Sequence, residues 1–366
     1  MNRPFIPAWL GLAILFTTSI IACRQYPQGA GSAQDLGFPQ RRQLDSTHVG
    51  RQTVHRIAFG SCAHQDKGQP LLDSIVARNP DLFIYLGDNL YGDTRDMDKL
   101  RRKYATLAAK PEFQRLWKST EVLATWDDHD YGENDAGRYY PYKKESKEIF
   151  LDFWDEPKLS ARRLHPGIYH ALEFGPPEHR LQVILLDTRT FRDDLVRASG
   201  IGVVPHYVPN PSPDSTFLGA QQWRWLEDQL HKPAKLRVIA SSNQFSQAHS
   251  GYESWTNVPH ERARLLSLLR RTKAAATVFI SGDVHYGELS VERSDSLYPI
   301  YDLTSSGLTQ SWSKVAPNAN RIGEAVIDNN FGMIDIDWEG HWLEFTLTDA
   351  YGKVRIRQRV AFEDLK

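Results

Sequence analysis

Five short apolar runs in this chain end in side chains that can bind a metal ion or carry a proton. "HRIAFGSC" ends at Cys62, "DLFIYLGD" at Asp88 with Tyr91 close behind, and "EVLATWDD" at Asp127 and Asp128, followed by His129 and Asp130. "LRVIASSN" ends at Asn243, and "ATVFISGD" at Asp283 with His285 after it. Carboxylate and amide oxygens are the donors of hard cations such as Ca2+, whereas thiolate, imidazole and phenolate extend the set to transition metals. A single aspartate after a strand is ordinarily a turn or cap residue. Five such endings are a different matter, because ligands of open α/β sheets bind outside the carboxyl ends of the strands. Together they point to a metal centre. The densest segment, "ATWDDHDYGEND" at 124–135, leaves two readings open for Glu133, Asn134 and Asp135: a Gly/Asn/Asp turn, or a site for a further calcium ion.

The elements that must hold these residues are legible as pattern. The five runs, with "LQVILLDT" at 181–188, are short and rich in aliphatic and β-branched residues, as expected of strands buried on both faces. Between them lie amphipathic stretches with helical spacing: "GQPLLDSIVARN", "DMDKLRRKYATLAAKPEFQRLW", "KESKEIFLDFW", "GAQQWRWLEDQLHK" and "PHERARLLSLLRRTK". Strands alternating with helices imply a mostly parallel sheet with right-handed crossovers. The last third changes to strict alternation in "YPIYDLTSSGL", "GMIDIDWEG", "HWLEFTLTDAYG" and "KVRIRQRVAFE", with turns at "DWEGH" and "DAYGK". That predicts a C-terminal antiparallel sheet joined to the parallel one, with helices outside.

Charge and cysteine content narrow the partners. The chain has 366 residues, 44 Lys+Arg against 45 Asp+Glu and a net charge of -1, which gives no basic footprint for specific nucleic-acid binding. At the N-terminus Arg3 precedes an apolar stretch at 8–21 that falls short of the roughly 20 residues of a membrane span. This reads as an export signal over residues 1–22. "IIAC" resembles a bacterial lipobox, which makes Cys23 the lipidated first residue of a mature protein; the alternative is an ordinary signal or an uncleaved anchor. Residues 23–53, with their Gln, Gly, Ser and Arg, form the expected flexible tether, and 54–366 the folded domain. With Cys23 lipidated, Cys62 has no disulfide partner in an exported protein, so it is either buried and inert or has its thiolate held by something else.

Taken in order, "GSC", "GDNLY", "WDDHD", "SSN" and "GDVH" resemble the strand-end motifs of calcineurin-like metallophosphoesterases, and in particular of the PhoD-type alkaline phosphatases. "LLDTR" at 185–189 and "LGAQQWRWLEDQL" at 218–230 are similar to that family too. The resemblance implies a four-layer α/β/β/α sandwich of two mixed sheets with helices outside and the metal site at the carboxyl ends of the strands. It implies that Asp88 bridges two ions. Cys62, Tyr91 and His285 would complete one site, with donors that suit Fe3+, and Asp128, Asn243 and Asp283 the other, with oxygens that suit Ca2+; Zn2+ and Mn2+ are the alternatives. His129 would then serve the substrate phosphate or the leaving oxygen, with Asp130 orienting its ring and Asp127 a structural neighbour.

The implied reaction is metal-dependent hydrolysis of a phosphate ester, on a small-molecule or lipid substrate, by an exported, membrane-anchored monomer of the bacterial cell envelope. A phosphodiesterase or phospholipase-type hydrolase with little monoesterase activity is the alternative, and a lipid-anchored binding module with a dead site is the third reading. Arg189 of "DTRTFR" is expected either to neutralise a phosphate oxygen or to make a salt bridge beneath the sheet. The aromatic segments "RYYPYKK" and "SGYESWTNVPHER" are expected to rim the pocket, with Tyr139, Tyr140, Lys143 and Trp255 contacting the organic half of the substrate.

Overall fold

A computed structural model describes residues 1, 37–40, 52–198, 206–248, 251–294 and 297–366. Cys23, the expected signal segment beyond Met1 and most of the expected tether lie outside the described residues. No described helix is long and apolar enough to cross a membrane.

Strands β1 (Arg56–Gly60), β2 (Leu82–Leu86) and β3 (Glu121–Thr125) run parallel, as do β5 (Leu181–Leu185), β8 (Leu236–Ser241) and β9 (Thr277–Ser281). These two parallel sets belong to different sheets. In chain order the remaining strands are β4 (His170–Phe174), the short β6 (Val196–Arg197) and β7 (Tyr207–Val208), and β10 (Gly287–Ser294) to β12 (Arg321–Val326) with β11 (Leu297–Ser305) between. The last three are β13 (Asn330–Asp337), β14 (Trp342–Asp349) and β15 (Val354–Ala361). One sheet has the order β15-β14-β13-β1-β2-β3 and the other β12-β10-β11-β9-β8-β5-β4, so both are mixed. A C-terminal antiparallel sheet joined to a single parallel one is therefore corrected. The late hairpins β13–β15 extend the first sheet through the antiparallel pair β1–β13, while β10–β12 extend the second. The four-layer arrangement expected from the resemblance holds.

Alternation within the strands explains why the sheets are buried on both faces. Ile57 and Phe59 of β1, Leu82, Ile84 and Leu86 of β2, and Val238 and Ala240 of β8 point into the core between the sheets. Their neighbours Ala58, Phe83 and Tyr85 face the helices Met97–Ala108, Pro111–Ser119 and Lys143–Phe153, which contribute Tyr104, Phe113 and Phe150. Ile184, Ile239 and Phe279 face the helices Gly219–Leu230 and Pro259–Thr272 on the other side. The one long amphipathic stretch at 96–117 is two helices, broken where Pro111 starts the second at its first turn.

Part of the expected tether is not loose. Phe38 is buried between Tyr104 and Phe153, with ring centroids 6.4 and 5.4 Å away, and Trp117 Nε1 donates to the Gln40 carbonyl at 3.1 Å. A large ring inserted into an apolar helix layer offsets the entropy of ordering these few residues.

Candidate metal centre

The five strand endings meet at one place because the two sheets converge at their carboxyl ends, where Ser61 after β1 pairs with Ser306 after β11. Gly87, at φ +99°, lets the β2 ending pass the β3 ending: a Cβ there would lie 2.5 Å from that of Asp127. The loops then turn sharply enough to leave Cys62, Asp88, Asp93, Asp283 and His285 all at positive φ, between 43° and 73°. For residues with a Cβ this conformation costs energy, and such strain collects where geometry serves function.

Cys62 Sγ lies 3.5 Å from Asp88 Oδ2 and 3.1 Å from Ser306 Oγ, and the Tyr91 hydroxyl lies 3.0 Å from His285 Nε2. Cys62, Asp88 and His285 present donor atoms within 4.8 Å of one another; so do Asp88, Asp128 and His129, and Asp127, Asp128 and Asp283. Asp88 and Asp128 thus link the groups. Asn243 is fully buried at the end of β8, and neither of its side-chain polar atoms has a partner; Asp88 Oδ1 and His285 Nδ1 are likewise without one. A buried amide left unpaired costs more than a lost hydrogen bond returns, so a missing partner is implied.

The electrostatics point the same way. Burial pushes the Cys62 thiol up, and burial together with Cys62 holds Asp88 well above the usual carboxylate range. Burial and the neighbouring Asp127 do the same to Asp283. Burial would also raise Asp128, but the Arg189 and His129 charges outweigh it and hold the group at about 2. His285 is pulled down to about 4 by burial and by the His129 charge, which leaves its imidazole neutral. Several acidic donors that cannot all ionise together, beside a neutral imidazole, fit a bound cation.

His129 sits over Asp88 and Asp128. Burial would lower its pKa, but Asp88, Asp93 and Asp128 raise it to about 10. Its Nδ1–H donates to Asp93 Oδ1 at 2.7 Å, and its ring packs 4.3 Å from that of Tyr91. Asp130 does not orient this ring, contrary to the sequence reading. Instead its carboxylate accepts from the backbone of Asp127 and Asn89 and from the Asn89 amide, closing the short helix Asp128–Tyr131 onto the β2 loop. Asp93 was legible only as the second "GD" of "GDNLYGD", a pattern that also suits a plain turn.

For Arg189 the structure selects between the two readings. The side chain is fully buried, donates to Asp127 at 2.5 Å, and grips Glu253 through both terminal nitrogens at 2.8 Å. Of the two sequence readings the buried salt bridge is the one observed, with the Asp127 carboxylate as its near partner. The four residues expected to hold the organic half of a substrate are elsewhere as well. Tyr140 is buried and donates to the Thr94 carbonyl, and Trp255 is buried with its Nε1–H on Ser241. Tyr139 is exposed and stacks on Arg138, whose carbonyl accepts from Lys143. None of the four lines the cavity of about 360 Å3 above the donor cluster. Its walls are formed instead by Asn134 and Asp135 of the acidic segment, Tyr252 and Glu253 of "SGYESWTNVPHER", and Arg197, His206, Tyr207, Trp312 and Lys314, which have no distinguishing spacing in sequence. Asp135 is tied into this wall, accepting from the Tyr207 hydroxyl, while its backbone N–H donates to Asp128 at 2.6 Å.

Comparison with known proteins places this geometry. The chain is 24% identical over 270 residues to alkaline phosphatase D of Bacillus subtilis (strain 168), which covers 63% of this chain and 45% of that protein. It spans, therefore, less than half the length of that relative. The solved structure of PhoD superposes with a TM-score of 0.67 at 17% identity, over 88% of this chain and 70% of the other. GAP50, the anchor in the inner membrane complex of Plasmodium, follows at 0.53 and 13%, over 85% and 89% of the two chains. A dimetal phosphatase from Danio rerio reaches 0.50 and 16%, over 85% and 100%. At such identities these superpositions establish the fold. The family model for PhoD-like phosphatases matches residues 57–311, more than half of the chain and all five strand endings, so the chain belongs to the PhoD-like phosphatase family.

Proposed function

We propose that the protein is a metal-dependent phosphoric ester hydrolase. The observation that carries this reading is the convergence of Asp88, Asp128, Asp283 and His285 on one cavity, with Cys62 against Asp88, Tyr91 against His285, and the buried Asn243 amide unpaired. Cys62, Tyr91 and His285 with Asp88 would hold one ion, for which thiolate and phenolate donors favour Fe3+; Asp128, Asn243 and Asp283 with Asp88 would hold a second, with oxygen donors that favour Ca2+. When bound, such a pair supplies an acidified water and offsets the charge of the phosphoryl oxygens.

The chain's own residues supply the rest. In hydrolysis a water oxygen adds to phosphorus, the P–O bond to the alcohol breaks, and the alcohol leaves with a proton. With Nδ1 committed to Asp93, Nε2 is the His129 atom that can hold this proton for the departing oxygen. The Asp93→Asn variant is expected to lower kcat by about 10- to 100-fold with KM nearly unchanged. Asp130→Asn is expected to reduce stability rather than kcat; equal kcat losses for the two would overturn this division of roles.

Diesters are the favoured class. Arg189 is consumed by Asp127 and Glu253, so it is not available for the second negative charge of a terminal phosphate, and the cations left in the cavity, Arg197 and Lys314, are exposed on its wall. Hydrolysis of bis-p-nitrophenyl phosphate is expected to exceed that of p-nitrophenyl phosphate, and both are expected to vanish on chelation and return with Fe3+ and Ca2+. A ferric–phenolate pair absorbs visible light, so Tyr91→Phe should bleach the colour of the loaded protein; a colour that survives excludes Tyr91 as a ligand. The fold also serves as an anchor in GAP50. Retention of every donor position favours the enzyme here, and stoichiometric metal binding with no turnover on either ester would favour the anchor.

We further read the protein as an exported lipoprotein of the cell envelope, acting as a monomer, on the strength of "IIAC" and the short apolar stretch before it. Cys23→Ala is expected to shift it from the membrane to the soluble fraction; unchanged fractionation would exclude lipidation at that residue.

A further inference from the structure

We infer that the cavity wall selects phosphoesters whose alcohol half joins a flat ring to a second anionic group, the chemistry of a nucleotide; this rests on the proposed hydrolase reading. The floor of the cavity carries Asp88, Asp128 and Asp283; its wall carries Asp135 and Glu253, each tied to a protein partner (Tyr207 and Arg189), and two cations, Arg197 and Lys314. Arg197 and Lys314 are both exposed there, and among the described residues neither has a carboxylate partner. The Arg197 guanidinium lies over the Tyr207 ring, 5.7 Å from its centroid, which favours its charge on the cavity wall.

Exposed cations are ordinary on a protein surface. These two share one cavity with an unusual apolar neighbour. Trp312 is 50% exposed, one of the few large hydrophobic side chains so placed among the described residues, and its position is fixed: its backbone N–H donates to the His285 carbonyl at 2.8 Å, and its ring lies 4.5 Å from the His285 imidazole. Tyr252 and His206 add a second pair of rings, 5.4 Å apart. An indole held open beside a candidate metal ligand offers a stacking face within reach of a phosphate bound at the floor. The two cations offer a place for a charge beyond it. A small alkyl ester would use neither.

The test compares three p-nitrophenyl diesters on the metal-loaded protein: methyl p-nitrophenyl phosphate, the p-nitrophenyl ester of thymidine 5′-phosphate, and the same nucleoside ester carrying a 3′-phosphate. In each, water adds to phosphorus and p-nitrophenolate leaves, so only the far half differs. Expected kcat/KM rises about tenfold on adding the nucleoside and about tenfold again on adding the 3′-phosphate. The second ratio is expected to fall towards one in the Arg197→Ala, Lys314→Ala double variant and at high salt, and the first to fall in Trp312→Ala. Equal kcat/KM for all three diesters in the wild type, or ratios that survive both variants, overturn the inference while leaving the hydrolase reading standing. No hydrolysis of any of the three overturns the inference, and it overturns the hydrolase reading itself if p-nitrophenyl phosphate is not hydrolysed either. A gain from the 3′-phosphate with none from the ring would replace the nucleotide class with a non-aromatic polyanion.

Discussion

Asp88→Asn is expected to lower phosphoester hydrolysis by about 10³-fold or more, because it removes the one carboxylate placed to serve both halves of the donor cluster. Asp88 is buried, with Oδ2 against Cys62 and Oδ1 without a protein partner, and the Cys62 and Asp128 groups meet through it. Each tenfold in rate corresponds to about 1.4 kcal/mol, so a loss of this size is several kcal/mol of transition-state stabilisation. The expected effect on folding has the opposite sign. In the metal-free protein the ionisation of Asp88 is opposed first by burial and then by Cys62, Asp128 and Asp127, and a neutral amide of the same shape removes that cost. Steady-state kinetics, metal content and urea denaturation of the chelated protein check all three parts. Substantial turnover with a full complement of metal would exclude Asp88 as the bridge.

Arg189→Met is expected to destabilise the protein by about 3–5 kcal/mol, since it strands Asp127 and Glu253 as buried charges without their partner. Arg192, 3.2 Å from Glu253, covers only part of that loss. Adding Asp127→Asn and Glu253→Gln in the same chain should recover much of the stability, because a neutral polar set has no charge to compensate. Had Arg189 faced the substrate, Arg189→Met would instead raise KM and leave the urea midpoint unchanged, so the two roles separate cleanly. Some activity should be lost as well, since the Arg189 charge is the first of those that hold Asp128 ionised.

The partners of His129 and Arg189 share an origin in long-range contacts. The resemblance implies that Asp130 orients His129, yet in a short helix adjacent side chains point about 100° apart, and Asp130 turns under the loop while His129 faces the cavity. The partner of His129 comes from a different strand ending, through Asp93. The charge of Arg189 leaves phosphate and a salt bridge equally open, and the choice is set by Asp127 and Glu253, which lie 62 and 64 residues away in sequence. Of the aromatic segments, "SGYESWTNVPHER" does reach the cavity wall, through Tyr252 and Glu253, but the residues expected to contact the substrate do not. Tyr140 and Trp255 are consumed by packing, in which each finds a hydrogen-bond partner for its polar atom.

By itself the sequence determined which residues would gather and at which end of the strands. An apolar run of β-branched residues forms a buried strand, a polar donor after it falls at the carboxyl end, and parallel strands bring all such ends to one edge. Those properties are local, or follow from handed crossovers, and so survive without knowledge of neighbours. Only the tertiary structure decided that the parallel strands divide between two sheets, that β13–β15 join β1, and which side chains face one another across the gap. Alternation records that a residue points inward but not which sheet it meets there. The partners of His129 and Arg189, and the cavity wall of Arg197, Trp312 and Lys314, are long-range contacts whose identity rests on how the two sheets pack.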